Sequence, residues 1–429
     1  MFVARAVRRQ AVLLAMGVIA LSVTVATAPQ RTVFRSTVDV IAVDVQVVDR
    51  DGNPIERIGP EAFEVSINGQ RRKVQSAQFL RHAVDPVARH DVGPTGEALS
   101  DTEVHEAEGR TFVLAVDSGS FEVGTERAPI EGARGFIQHL NPSDRVGLFV
   151  YPSGAKIAPT TARTQLTVSL DRVIGQKDPL RSHFNLRPWE IVDIASRSTT
   201  PNSFLTASRI LNEGLDAATQ AMDSVLQVQA RECPSDPDCP AKIYEEGIGL
   251  ATQLERQVQG SLSGLDALLN ALSELPGRKA VIFVSAGIVV SDRPEGRPDA
   301  GSLARTMGQA AARANASVYT VHVDTTTSGV GPASQKGLAS SNVARDRALS
   351  SNWLNDFSNA AGGRLIYVPS GSADFAFDRV LRETSAYYLL GVEPAAADRD
   401  GRPRELRVKV HRRGVSVRSR QWVVIPAKS

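Results

Sequence analysis

Apolar residues along this chain follow three successive patterns. From Thr37 to Phe79 they alternate with polar ones: Val43, Val45 and Val47 keep a period of two, while Val38, Val40 and Ala42 hold the opposite phase, so the register slips near Ile41. Period two predicts strands with one buried face. Asp49-Arg-Asp-Gly-Asn-Pro reads as a turn, and Asn68-Gly69 as a hairpin tip that returns the strand Phe63–Ile67 through Lys73 to Phe79. From Arg110 to Val368 the pattern changes to short continuous apolar runs separated by segments of helical period. Phe112–Asp117, Arg145–Tyr151, Lys279–Ser285, Ser317–Val323 and Arg364–Val368 read as strands buried on both faces. Helices are predicted at Arg127–Leu140, Gln165–Val173, Ser261–Leu275, Ser302–Ala314 and Asn352–Ala361, the last stopped by Gly362-Gly363. The third pattern, Ala386–Val392 and then Leu406–Val410 turned back by Arg413-Gly414 into Val415–Val424, alternates again.

Strands separated by helices predict an α/β fold, a doubly wound and mostly parallel sheet with helices on both faces. The flanking β segments hold too few strands for a core each, so they are expected to pair with one another into a β-sandwich from which the α/β domain emerges. The organisation this implies is a leader at 1–28, sandwich strands at 36–82, a polar Pro/Gly linker at 83–109, the α/β domain at 110–370 and sandwich strands at 385–424. Residues 175–260 interrupt the alternation without strand signals and are expected to form a helical insertion.

The leader changes the compartment. Arg5, Arg8 and Arg9 precede an apolar stretch from Ala11 to Ala26, and Ala26-Thr27-Ala28 offers a small-x-small cleavage site. That combination reads as an export signal, and its apolar run is short for a spanning helix. The expected location is periplasmic or secreted, with membrane contact only through the signal. Export in turn assigns Cys233 and Cys239, the only two cysteines, to a local disulfide closing a Pro/Asp loop.

With 429 residues, 42% hydrophobic and 22% charged, the chain has the composition of a globular protein with a substantial core. A net charge of +2 supplies no field to recruit nucleic acid, and the basic alternation over Arg404–Arg420 reads as a solvated strand face guarding a sheet edge. Both Asp-x-Asp-Gly turns, Asp49–Gly52 and Asp398–Gly401, lack the remaining ligands of a calcium loop. The chain contains no Gly-x-Ser-x-Gly, no His-Glu-x-x-His and no phosphate loop.

The candidate chemistry lies at Asp117-Ser118-Gly119-Ser120, because ligands of open α/β sheets bind beyond the carboxyl ends of strands. Phe112–Ser120 with its following helix, Leu140-Asn-Pro-Ser-Asp-Arg-Val-Gly-Leu-Phe-Val-Tyr151, and Leu275-Pro-Gly-Arg-Lys-Ala-Val-Ile-Phe-Val-Ser-Ala-Gly287 resemble a von Willebrand factor type A domain. Val43-Asp-Val-Gln-Val-Val-Asp-Arg-Asp-Gly, Glu61-Ala-Phe-Glu-Val and Ser385-Ala-Tyr-Tyr-Leu-Leu-Gly-Val392 look like the VWFA-related domain of exported, mainly acidobacterial proteins, so the resemblance spans about 36–424. It implies a non-catalytic protein-binding or adhesion module whose metal ion-dependent site begins Asp-x-Ser-x-Ser. Here one residue of that motif is missing, leaving Asp117, Ser118 and Ser120 as candidate ligands. The aspartate expected after the fourth strand is Ala286, beside Ser285. Thr199 and Thr200 are the candidates for a middle-loop threonine. A divalent cation (Mg²⁺, Mn²⁺ or Ca²⁺) is the cofactor such a site would take, weakened by the lost carboxylate.

The binding edge is therefore expected to include Phe121, Thr199, Thr200 and Ser285, facing a protein or envelope ligand. Two other readings share that edge. One is a structural envelope component without metal; the other is a hydrolase in which Asp117, Ser285 and His322 converge.

Overall fold

The computed structural model describes residues 40–82, 105–107, 109–196, 215–293, 296–325, 340–369 and 371–427. The leader, most of the 83–109 linker, Thr199 and Thr200 lie outside these residues.

The chain begins with β1 (Ile41–Val48), β2 (Phe63–Ile67), β3 (Gln70–Arg72), β4 (Val74–His82) and β5 (His105–Ala107). The central part runs β6 (Thr111–Asp117), α1 (Arg127–Gln138), β7 (Arg145–Tyr151), β8 (Lys156–Thr160), α2 (Thr164–Leu170), α3 (Pro188–Ala195), α4 (Leu215–Glu232) and α5 (Cys239–Ser273). It continues with β9 (Lys279–Ser285), α6 (Leu303–Arg313), β10 (Ala316–Val323), α7 (Ser340–Ala360), β11 (Arg364–Val368) and α8 (Asp374–Glu383). The chain ends with β12 (Ala386–Val392), β13 (Pro403–Val410), β14 (Ser416–Arg418) and β15 (Trp422–Val424).

The central strands form a six-stranded sheet in the order β11-β10-β9-β6-β7-β8, parallel except for β8, which runs antiparallel to β7 at the edge. Helices cover both faces. Phe112, Leu114 and Val116 of β6 point into a core shared with Phe136 and Ile137 of α1, Leu166 of α2 and Phe377 of α8. The alternate residues Val113 and Ala115 face Leu262, Leu265 and Leu269 of α5 and Phe357 of α7. This is the alternation of a strand buried on both sides. The fold is thus mixed α/β with a mostly parallel central sheet.

The first and last strands meet as well. β1 pairs antiparallel with β12, setting Val43 opposite Leu390, and β12 pairs with β4 to make the centre of a five-stranded sheet, β14-β1-β12-β4-β5. A four-stranded sheet, β15-β13-β2-β3, packs on it over Val45, Val65, Ile67, Tyr388 and Leu390. At the hairpin between β2 and β3, Asn68 and Gly69 both take positive φ (49° and 77°), the pattern that matches strand twist in a two-residue turn. Asp49 holds its own turn by accepting the N–H groups of Asp51 (2.9 Å) and Asn53 (2.8 Å). The sandwich is tied to the α/β part by Glu383 of α8. Its fully buried carboxylate pairs with Arg364 of β11 (3.2 Å), Arg379 (3.0 Å) and Arg418 of β14 (3.2 Å).

Several expectations need correction. β13 is not an edge: it lies between β15 and β2, and its basic residues are partly spent on neighbours, Arg404 on Asp400 and Arg407 on Glu405. The return segment is not one strand, because β14 joins β1 in one sheet while β15 joins β13 in the other. The boundary at 260 is no break, since the insertion continues into Ser261–Leu275 as α5, a single helix of 35 residues. Its first half packs with α3 and α4 in a separate small core around Ile191, Val228 and Leu254, and its second half covers the sheet. Cys233 and Cys239 form a disulfide at the start of α5, across a sequence separation of 6. α8 is an amphipathic helix whose Ala376, Phe377 and Val380 are buried, in a stretch to which the sequence reading assigns no element.

Candidate functional site

The strand order places the site. β6 is followed by β7 on one side, while β9 lies on its other side, so the connections leaving β6 and β9 diverge and a crevice opens between their carboxyl ends. Asp117 and Ser285 are the last residues of those strands. By alternation Asp117 continues the Val113–Ala115 row, Ser285 the Val281–Phe283 row and Tyr151 that of Phe149, all toward α5. The upper edge of this face is therefore a polar row, His322, Ser285, Asp117 and Tyr151, in which His322 is level with Ser285 and Asp117 with Tyr151.

Helix α5 closes the crevice. Ser261 donates from its hydroxyl to Asp117 Oδ2 at 2.7 Å, and Ser285 approaches the same oxygen at 3.5 Å. Asp117 is 1% exposed, and Oδ1 has no hydrogen-bond partner. Burial pushes its carboxyl up to about 7, against the opposing pull of the Ser261 and Ser285 hydroxyls. The Tyr151 hydroxyl is a second buried group without a partner, and burial beside Asp117 holds its proton on well beyond the ordinary range.

The three residues after Asp117 form one 3-10 turn, Ser118–Ser120. Asp117 makes no capping hydrogen bond to it. Ser118 donates to the Tyr151 carbonyl (2.7 Å), and Ser120 donates to the carbonyl of Asp117 (2.7 Å). The Ser120 oxygen also accepts the Ala286 N–H (2.9 Å) and the Ser285 hydroxyl (3.3 Å), and the Ser285 oxygen accepts the Gly287 N–H (3.1 Å). The segment Gly175–Lys177 lies against this loop. Gln176 donates its N–H to the Ser118 carbonyl (2.7 Å) and Lys177 to that of Phe121 (2.9 Å). Only glycine fits at 175, where a Cβ would stand 2.5 Å from the carbonyl oxygens of Phe121 and Glu122. Lys177 interacts electrostatically with Asp117 and Glu122, which oppose the lowering effect of burial on its ammonium.

No family model and no curated protein matches this chain. The site must be judged on its own donors.

Asp117, Ser120 and Ser285 are brought together, with Ser261 as a fourth member that the motif does not contain. Ser118 is in the same turn but its hydroxyl is directed to β7. Phe121, expected on the binding edge, is fully buried in the core, because the 3-10 turn folds its ring under the loop. Ser285 is also fully buried. What the loop offers to solvent is Val123, 76% exposed, and the neighbouring segment adds Ile174, 55% exposed, next to Gly175.

This donor set does not fit a divalent cation. The Ser120 and Ser285 oxygens already accept backbone N–H groups, the Ser118 hydroxyl is turned to the Tyr151 carbonyl, and Asp117, with only Oδ1 free, is the single carboxylate of the cluster. Among the described residues no group of at least three His, Cys, Asp or Glu side chains is placed to hold a metal. A hard cation needs several oxygen lone pairs and usually more than one anion.

Ser285 and His322 do not pair as nucleophile and base. The Ser285 hydroxyl is bonded to Ser120 and lies toward Asp117, while the His322 ring is held against the Ser285 backbone and burial lowers its affinity for a proton. Sequence reasoning missed Ser261 and Lys177. Ser261 did carry a signal, a hydroxyl on the buried stripe of α5 between Val258 and Leu265.

Proposed function

We propose that this chain is an exported, non-catalytic binding module: a type A-like, doubly wound α/β domain carried on a β-sandwich, which presents the carboxyl edge of its parallel sheet to a protein or envelope ligand. The observation that carries this reading is the contrast at that edge. Exposed apolar side chains, Val123 in the loop after β6 and Ile174 next to Gly175, accompany a polar cluster whose reactive groups are buried and mutually satisfied or sealed. A surface valine at 76% exposure gains from a partner's cover what it loses to water, about 1.5–3 kcal/mol if fully covered. Chemistry, by contrast, requires a substrate to reach Ser285 or Asp117, and both are enclosed.

Export is supported by the Cys233–Cys239 disulfide, which suits an oxidising compartment. No helix among the described residues is long and apolar enough to cross a membrane.

The test is site-specific photo-crosslinking in the native envelope from position 123, with position 407 on the outer sandwich face as control. The expected result is a discrete adduct from 123 alone. Its affinity, measured afterwards with the purified ligand, should fall at least tenfold with Val123→Glu. Equal crosslinking from both positions, or affinity indifferent to Val123→Glu, overturns the proposal.

A further inference from the structure

We infer that the strand-end site is closed to divalent cations from within, the Ser261 hydroxyl of α5 and the Lys177 ammonium together taking the place that a metal ion would hold beside Asp117. This rests on the binding reading only for its location.

A bound cation does two things for a buried carboxylate: it bonds the oxygen directly and it balances the charge. In this chain the two jobs are divided. Ser261 supplies the direct contact, a 2.7 Å donated hydrogen bond between two buried side chains. It can do so because α5 crosses this face at close range. At Gly264, one helical turn further on, an added Cβ would stand 2.2 Å from Cδ2 of the Tyr151 ring, so the helix backbone rests directly on the polar row.

A positive charge stands nearby on Lys177. Its backbone is fixed beside the loop by the Gln176–Ser118 and Lys177–Phe121 hydrogen bonds, and the glycine at 175 permits that close approach. The ammonium then lies within electrostatic range of Glu122, the stronger influence on it, and of Asp117. A divalent ion entering here would find only the buried Oδ1 free, since Oδ2 is held by the Ser261 hydroxyl, and would stand in the field of a lysine. Binding should then proceed through the apolar rim without metal bridging.

The test uses the full mature chain. Calorimetric titration of chelator-stripped protein with Mn²⁺ should give no saturable heat, and Asp117→Ala should not change that. Saturable binding that Asp117→Ala abolishes overturns the inference. Thermal unfolding at pH 8 of Asp117→Ala, Ser261→Ala, Lys177→Met and the two doubles with Asp117→Ala then reads the division of roles. Ser261→Ala and Lys177→Met should each lower Tm by several degrees in the wild type and by much less once Asp117 is gone. Should Asp117→Ala fail to fold, Asp117→Asn replaces it in the lysine cycle, because Asn removes the charge that Lys177 answers. Equal shifts in both backgrounds overturn the inference. The crosslink from position 123 is independent of all these results, so a metal-binding outcome would leave the binding reading intact.

Discussion

Replacing Asp117 by Asn should make the protein more stable at alkaline pH and leave it nearly unchanged in acid. The carboxyl is fully buried, and its affinity for a proton is raised from 3.8 to about 7, first by burial, with Ser261 and Ser285 pulling the other way. At about 1.4 kcal/mol per pKa unit, that shift corresponds to roughly 4 kcal/mol. The sign follows from proton uptake. Below pH about 4 the acid is neutral in both folded and unfolded chains and costs nothing. Between about 4 and 7 the unfolded chain ionises while the folded one keeps its proton, so stability falls as pH rises and is lowest above 7. An amide cannot ionise and escapes this loss.

The amide also accepts the Ser261 and Ser285 hydroxyls in place of Oδ2. Its nitrogen takes the position of Oδ1, which has no partner in the wild type either, so the amide adds only a small cost there in acid. Asp117→Asn should therefore trail the wild type slightly at pH 4 and lead it at pH 8.5, the difference between the two comparisons approaching roughly 4 kcal/mol. Urea unfolding followed by tryptophan fluorescence measures it, since Trp353 is buried in the core beneath the same sheet face. A gap that does not change with pH would show that Asp117 is ionised in the fold throughout, and the account of the site as a sealed, proton-retaining cluster would fail.

Three further outcomes follow from other buried groups. Tyr151→Phe removes a buried hydroxyl without a partner and should stabilise by about 1 kcal/mol in the same urea assay; a loss of that size would mean the hydroxyl is bonded. Glu383→Gln leaves Arg364, Arg379 and Arg418 without their shared anion and should cost about 3–5 kcal/mol, with faster hydrogen exchange in β11 and β14 first. Cys233→Ser with Cys239→Ser opens a short loop worth about 2 kcal/mol, and the exchange it accelerates should stay within α4 and the first half of α5, leaving the sheet protected.

The sheet was legible because its strands are continuous apolar runs, a pattern that reports burial on both faces without reference to any neighbour. The pairing of β1 with β12 followed from an argument about core size, and the observed register of Val43 against Leu390 meets it. Strand rank within a sheet was not legible. Alternation in Leu406–Val410 is the same whether β13 is an edge or lies between β15 and β2, because rank depends on distant partners. α8 escaped notice for a local reason: its buried stripe of Ala376, Phe377 and Val380 spans little more than one turn and is offset by the exposed Phe375.

The site itself shows how one tight turn fixes the side chains around it. Ser118–Ser120 closes into a 3-10 turn, and the Ser120 hydroxyl folds back to the Asp117 carbonyl. The carboxylate is then left below the turn, on the side fixed by strand parity, since Val113, Ala115 and Asp117 share one face. That face belongs to α5. A helix packed over the sheet presents mostly leucine to it, and a buried carboxylate against leucine alone would be costly. The exception on the stripe, Ser261, lies 144 residues from Asp117 in the chain and meets it at 2.7 Å. Closure of the site is thus a property of the insertion as much as of the loop: had α5 ended before residue 261, the loop would be the same and the Asp117 carboxylate would lack its nearest hydrogen-bond donor.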